Sequence, residues 1–151
     1  MKPNDLFSRR IPKQFSVLDV VCSIVGHANV ASCDTNDNHK RFTMQLADDA
    51  AFIPPSCVHE EWMKEIGIGP IESPGKLFLP ALDSRDAAHI ATAAHEACHA
   101  RMFMNAKGNI WRNEKITNQL AANWLRKNLS GMRLHVALET ITQSNISYGI
   151  H

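Results

Sequence analysis

The sequence predicts a small domain of the α+β class, with short strands in its first half and long helices in its second. Three observations predict it. Short apolar runs bounded by turn residues stand at 41–46, 51–53 and 76–79. An alanine-rich run without Gly or Pro fills 85–104, and apolar residues at helical spacing fill 113–128. The 151 residues suit one compact unit with its own core.

Residues 1–14 read as an irregular arm and 15–151 as a single domain. Val17, Val20, Val21, Ile24 and Val25 follow helical spacing behind Ser16, a residue type that caps, so Ser16–Val25 reads as a helix. Their β-branching leaves a strand as the alternative. The polar stretch 32–40 is a loop. In 41–46, Phe42, Met44 and Leu46 share one side of a strand, with Thr43 and Gln45 on the other. Ala51–Ile53 is a further strand, stopped by Pro54-Pro55. Val58, Trp62 and Ile66 stand at i, i+4 and i+8, which predicts a short helix within 56–66. The Gly and Pro residues of 67–75 predict a loop. Lys76–Leu79 is a short strand closed by Pro80. Asp83 or Ser84 then caps the long helix, with Asp86 favoured by its positive N-terminus. Gly108 ends that region. The next helix carries Ile116, Leu120, Ala121, Trp124 and Leu125 as its apolar stripe and stops near Gly131. Leu134–Ile141 is a third helix.

Hydrophobic residues make up 44% and charged residues 21%, ordinary values for a globular chain. Sixteen Lys and Arg against fifteen Asp and Glu leave a net charge of +1, without the basic excess of a nucleic-acid binder. The cluster Arg9, Arg10 and Lys13 reads as a solvated tail. It precedes an apolar run from Phe15 to Val25, as in a signal peptide, but Asp19 interrupts that run and a buried helix explains it better. No run approaches the roughly eighteen apolar residues that a membrane span needs. Cysteines 22, 33, 57 and 98 include no CxxC pair. They are expected as reduced thiols in the cytoplasm, with a Cys22–Cys33 disulfide as the alternative for an exported form.

The chemistry concentrates in His95-Glu96-Ala97-Cys98-His99, an HExxH pattern inside the alanine-rich helix. Residues four apart lie one above the other on a helix, so the two imidazoles can grip one ion. Zinc takes two such nitrogens and keeps a position for water in catalytic sites. Glu96, beside the first histidine, can serve as general base on that water. Alanines surround the motif at 87, 88, 91, 93, 94, 97 and 100. A helix apolar nearly all round is buried, and buried His and Glu need partners that a shared ion supplies. Cys98 lies on the flank of the histidine face; a small buried thiol is the preferred reading over a metal ligand.

A third ligand is expected downstream. Asn113-Glu114-Lys115-Ile116-Thr117-Asn118 resembles the NExxSD signature of thermolysin-like glutamate zincins. The resemblance implies Glu114 as the third zinc ligand and Asn118, where the family has Asp, as the acceptor that orients a ligand histidine. Read on its own, Glu114 is an ordinary first-turn glutamate favoured by the helix dipole. Glu139 and His135 are the fallback ligands. The order of strand, HExxH helix and Glu-bearing helix over 76–128 is similar to the minimal zincin cores of SprT-like proteins, plasmid antirestriction proteins and phage repressor-cleaving peptidases. That resemblance implies an edge strand that pairs with extended substrate, and Leu77, Phe78 and Leu79 are its candidates. A simple core strand is the competing reading. A zinc hydrolase also needs a transition-state stabiliser facing the metal, usually Tyr, His or Arg, for which His135 and Tyr148 are the candidates.

Other histidines carry less. His89 is rotated off the shared face, His59 with Glu60 and Glu61 reads as a charged turn, and His27 and His39 fall in loops. The expected function is zinc-dependent hydrolysis of a protein or peptide substrate with Glu96 as base. The alternative is a non-catalytic regulatory or antirestriction binding module that keeps the fold and a zinc site.

Overall fold

The computed structural model describes residues 15–31, 41–105 and 108–147. The arm 1–14, the loop 32–40 with His39, and Tyr148 lie outside the described residues. Helices and a small mixed sheet make an α+β domain. Helix α1 is Val17–Val25, and the capping box of Ser16 and Asp19 decides for helix over strand. A 3₁₀ turn at His27–Asn29 leads to strand β1, Val30–Ala31. Strands β2 (Phe42–Leu46), β3 (Ala51–Ile53), β4 (Ser56–Val58), β5 (Ile71–Ser73) and β6 (Gly75–Leu79) follow, with helix α2 (Glu61–Glu65) between β4 and β5. Helix α3 spans Ala87–Asn105, a 3₁₀ turn spans Ile110–Arg112, and helices α4 (Glu114–Asn128) and α5 (Gly131–Ser147) complete the order. No described helix is long and apolar enough to cross a membrane.

The main sheet runs β1-β2-β6-β3, parallel except for β3, which is antiparallel to β6. Helix α3 lies at the centre, packed against α1, α4, α5, β3 and β6. That position explains its composition. Ala91, Ala93, Ala94, Ala97 and Ala100 are fully buried on successive faces, and only small side chains let so many neighbours approach one helix. Its cap is Asp86, not Asp83 or Ser84. The Asp86 carboxylate accepts from the Ala88 N–H at 2.9 Å, and Ser84 Oγ accepts from the Asp86 N–H. Phe42, Met44, Leu77 and Leu79 join Val20, Val21, Ile90 and Leu125 in one core.

Five expectations need correction. Leu77, Phe78 and Leu79 are not at an edge: β6 is flanked by β2 and β3, and both sides of its backbone are engaged. Among the described residues, the free edge on that side belongs to β3. The helix expected over 56–66 shrinks to Glu61–Glu65, because 56–58 pairs with 71–73 as a hairpin. Val58, Trp62 and Ile66 consequently face solvent. The expected loop 67–75 contains β5 and the start of β6. Leu120 is 41% exposed and leaves the apolar face of α4 to Ala121 and Leu125. The last helix is also longer than expected and begins at Gly131, which starts α5 rather than ending α4.

Gly75 is the tightest point of the sheet. A Cβ there would lie 2.7 Å from Phe42 Cδ1, 2.8 Å from Pro55 Cδ and 2.9 Å from the Ile53 carbonyl oxygen. Gly75→Ala is therefore expected to destabilise the fold by about 1–3 kcal/mol, since β3 must move away from β6. Urea unfolding checks it, and an unchanged midpoint would show that the ribbon yields freely.

Candidate metal centre

Helix periodicity places His95 one turn before His99, with ring centroids 4.7 Å apart and planes at 85°. Both are buried on α3, at 5% and 6% exposure. Helix α4 begins opposite them. The Asn113 side chain caps it by accepting from the Ile116 N–H at 2.9 Å, which puts Glu114 in the first turn, facing α3. His95 Nε2 lies 3.0 Å from Glu114 Oε1, His99 Nε2 lies 2.9 Å from the same oxygen, and the two Nε2 atoms are 3.1 Å apart. Among the described residues this is the only group of three or more His, Cys, Asp or Glu ligands so gathered.

The opposite ring nitrogens fix how each imidazole is presented. His99 Nδ1 faces the Trp111 carbonyl at 2.5 Å, an acceptor that obliges this nitrogen to carry a proton. Thr117 Oγ1 stands 3.3 Å from the same nitrogen and itself donates to the Asn113 carbonyl. His95 Nδ1 faces Asn118 Oδ1 at 2.5 Å, with Asn118 2% exposed. With both Nδ1 atoms donating, neutral rings would turn their Nε2 lone pairs toward a carboxylate oxygen. Three electron-rich atoms about 3 Å apart repel one another unless a cation lies between them. The spacing suits atoms each about 2.0–2.1 Å from a common centre. The group can hold a metal ion.

Glu96 sits beside this cluster, 6% exposed. A cavity of ≈ 240 Å³ is lined by Ala50, Ala51, Phe52, Glu96, His99, Trp111, Arg112 and Glu114. Glu96 also borders a second cavity, of ≈ 190 Å³, with His95, Thr92 and residues of α5. It therefore forms the wall between the two. Phe52 of β3 stacks on His99 with ring planes at 5° and packs edge-on against Trp111, which ties the sheet edge to the ligand helix.

Charge behaves as burial requires. Burial, aided by the neighbouring Glu114 carboxylate, pushes Glu96 up to about 8. Burial, then His99, holds His95 below its ordinary 6.5. In metal-free protein Glu96 keeps a proton that the unfolded chain has lost, so its contribution to stability declines as pH rises from about 4.5 to about 8. His95 acts oppositely below 6.5, where the unfolded chain is protonated and the folded ring is not. Above 6.5 only the Glu96 effect remains. Melting temperature of the metal-free protein is expected to fall between pH 6.5 and 8, and Glu96→Gln is expected to flatten that limb. A wild-type curve flat across this interval would contradict it.

Other expected residues lie elsewhere. His135 and Glu139 are exposed on α5 and are not among the three converging donors. His89 is half-buried and its Nδ1 meets Ser84 Oγ at 2.7 Å, away from the site. His59 contacts the Ile68 carbonyl through Nε2. Cys98 is a core thiol that burial pushes up to about 12, outside the ligand group. The sequence reading missed the Trp111 carbonyl, Thr117, the Phe52 wall and Arg112. Arg112 is the one cation lining the larger cavity, its guanidinium carbon 5.0 Å from the Trp111 ring centroid. No protein-family model, curated protein or solved structure matches the chain.

Proposed function

We propose that the chain is a zinc-dependent peptidase of glutamate-zincin type, acting on protein or peptide substrate. One observation carries the reading. Two imidazole nitrogens and a carboxylate oxygen converge at about 3 Å, each ring fixed from behind by an acceptor, beside a buried glutamate. Two His and one Glu form a donor set suited to zinc. Bound there, zinc would polarise a carbonyl and lower the pKa of its water to about 7. The rest belongs to the chain's own side chains. Glu96 accepts the proton of the attacking water, holds it in a nearly dry wall, and returns it to the leaving amine. Asn118 and the Trp111 carbonyl keep both rings in the tautomer that leaves Nε2 free. Arg112 takes the place expected for His135, offering cationic N–H donors to the developing oxyanion. The free edge of β3 replaces Leu77–Leu79 as the strand that pairs with extended substrate, because Ala51 and Phe52 line the cavity.

A binding module with a purely structural ion gives Glu96 no task, and a buried carboxylate without a task is costly. Metal-free protein titrated with zinc is expected to take up one ion per chain and to gain hydrolysis of unfolded casein. Arg112→Ala is expected to keep that stoichiometry and lose about a hundredfold in kcat. Failure of wild-type protein to bind zinc would overturn the assignment.

A further inference from the structure

Six of the twelve exposed large apolar side chains among the described residues fall within 53–71: Ile53, Val58, Trp62, Ile66, Ile68 and Ile71. Five of them belong to the excursion 54–74, which contributes nothing to the main core. Met63 is its one buried large side chain. The same excursion exposes Glu60, Glu61, Glu65 and Glu72 against a single lysine, Lys64, which lies 3.6 Å from Glu61. Scattered apolar residues on a surface need no explanation; five exposed large ones within 58–71, interspersed with four exposed carboxylates, point to an interaction site.

The register ties this patch to the cavity. Ile53 pairs with Lys76 in the main sheet, and Ser56 pairs with Ser73 in the excursion. Strands β3 and β4 are thus successive stretches of one ribbon, bent at Pro54-Pro55. Among the described residues, β3 is an edge of its sheet and β4 has a partner on one side only. The free edge that begins at Ala51 and Phe52, on the cavity wall, continues along the chain into the free edge of β4. At roughly 3.3 Å per residue, 51–58 covers roughly 23 Å.

We propose that the excursion 54–74 is a docking platform for an extended, basic and apolar segment of the protein substrate, bound as that segment leaves the cleft. The proposal rests on the peptidase reading and specifies the substrate class. Alternate apolar side chains of such a segment meet Trp62, Ile66 and Ile71. Lysine or arginine stems cross the same apolar surface while their heads reach the four carboxylates. The Trp62 Nε1–H donates to Glu60 Oε1 at 2.9 Å, which satisfies the indole and presents the ring, the side chain that most often dominates interface energies. An acidic segment would be repelled.

Anisotropy titrations test this on zinc-loaded Glu96→Gln protein, which binds without cutting. The probes are two labelled twelve-residue peptides, one alternating lysine and leucine, the other glutamate and leucine. The lysine peptide is expected to bind at least about tenfold tighter. Trp62→Ala is expected to weaken it about tenfold, and reversal of Glu60, Glu61, Glu65 and Glu72 to lysine is expected to invert the preference. Equal binding of the two peptides, or lysine-peptide binding unmoved by both variants, overturns the proposal. Self-association that Trp62→Ala abolishes would assign the face to a second copy of the chain and equally overturn it. Since the readout needs no hydrolysis, failure of the peptidase reading shows separately, as absent zinc uptake or absent casein cleavage with peptide binding intact.

Discussion

The Glu96→Gln protein is expected to take up one zinc ion per chain and to hydrolyse peptide at least about a thousandfold more slowly than wild type. Glu96 is not among the three converging donors, so its amide replacement leaves the ligand set whole. It removes the only carboxylate besides Glu114 on the cavity wall. A positioned general base contributes typically 10²–10⁴-fold, and no other carboxylate lining that cavity can take its place. The amide is nearly isosteric and neutral, and the site already favours a neutral group at 96. Folding should be preserved, and metal-free protein should be somewhat more stable at pH 8 than wild type. Residual activity above about a tenth of wild type would remove Glu96 from the mechanism, whatever the metal content.

Zinc is expected to raise the melting temperature of metal-free protein by about 10 °C. A cation among His95 Nε2, His99 Nε2 and Glu114 Oε1 turns their mutual repulsion into attraction. Ligand at a thousand times its dissociation constant stabilises by about 4 kcal/mol. For a chain of this length each kcal/mol shifts the midpoint by roughly 2–4 °C. In His99→Ala the zinc-induced shift should nearly vanish, because two donors remain. Reading the shift within each variant cancels the packing lost with the imidazole. A wild-type shift under about 2 °C, or an equal shift in His99→Ala, would show that the ion binds elsewhere.

The parts of this site that sequence made legible are those set by local periodicity. His95 and His99 are one turn apart on any helix, and the alanines around them signalled burial. The helical pattern that begins at about Asn113 put Glu114 in a first turn. The rest depends on long-range pairing, which a local pattern does not carry. Leu77-Phe78-Leu79 reads the same at an edge or in the middle of a sheet, and only its pairing with both β2 and β3 decides. The spacing of Val58, Trp62 and Ile66 imitates an amphipathic helix, but Pro54-Pro55 extends the chain and 71–73 captures 56–58 as a hairpin. The residues facing α3 from α5 had no donor chemistry to announce them. Arg112, which residue type alone does not single out, is placed at the cavity by the 3₁₀ turn that precedes Glu114.

That short turn has a consequence for mutagenesis. The orientation of His99 is entrusted to a main-chain oxygen, at position 111, which every one of the twenty amino acids would supply equally. Side-chain scanning at Trp111 will register lost aromatic packing against Phe52 and Phe103 and the lost ring beside the Arg112 guanidinium, but no lost acceptor for His99. The two imidazoles therefore differ in genetic fragility. His95 can be unsettled by one codon change at Asn118, whereas His99 is insulated from such changes unless the path of 110–113 itself is bent.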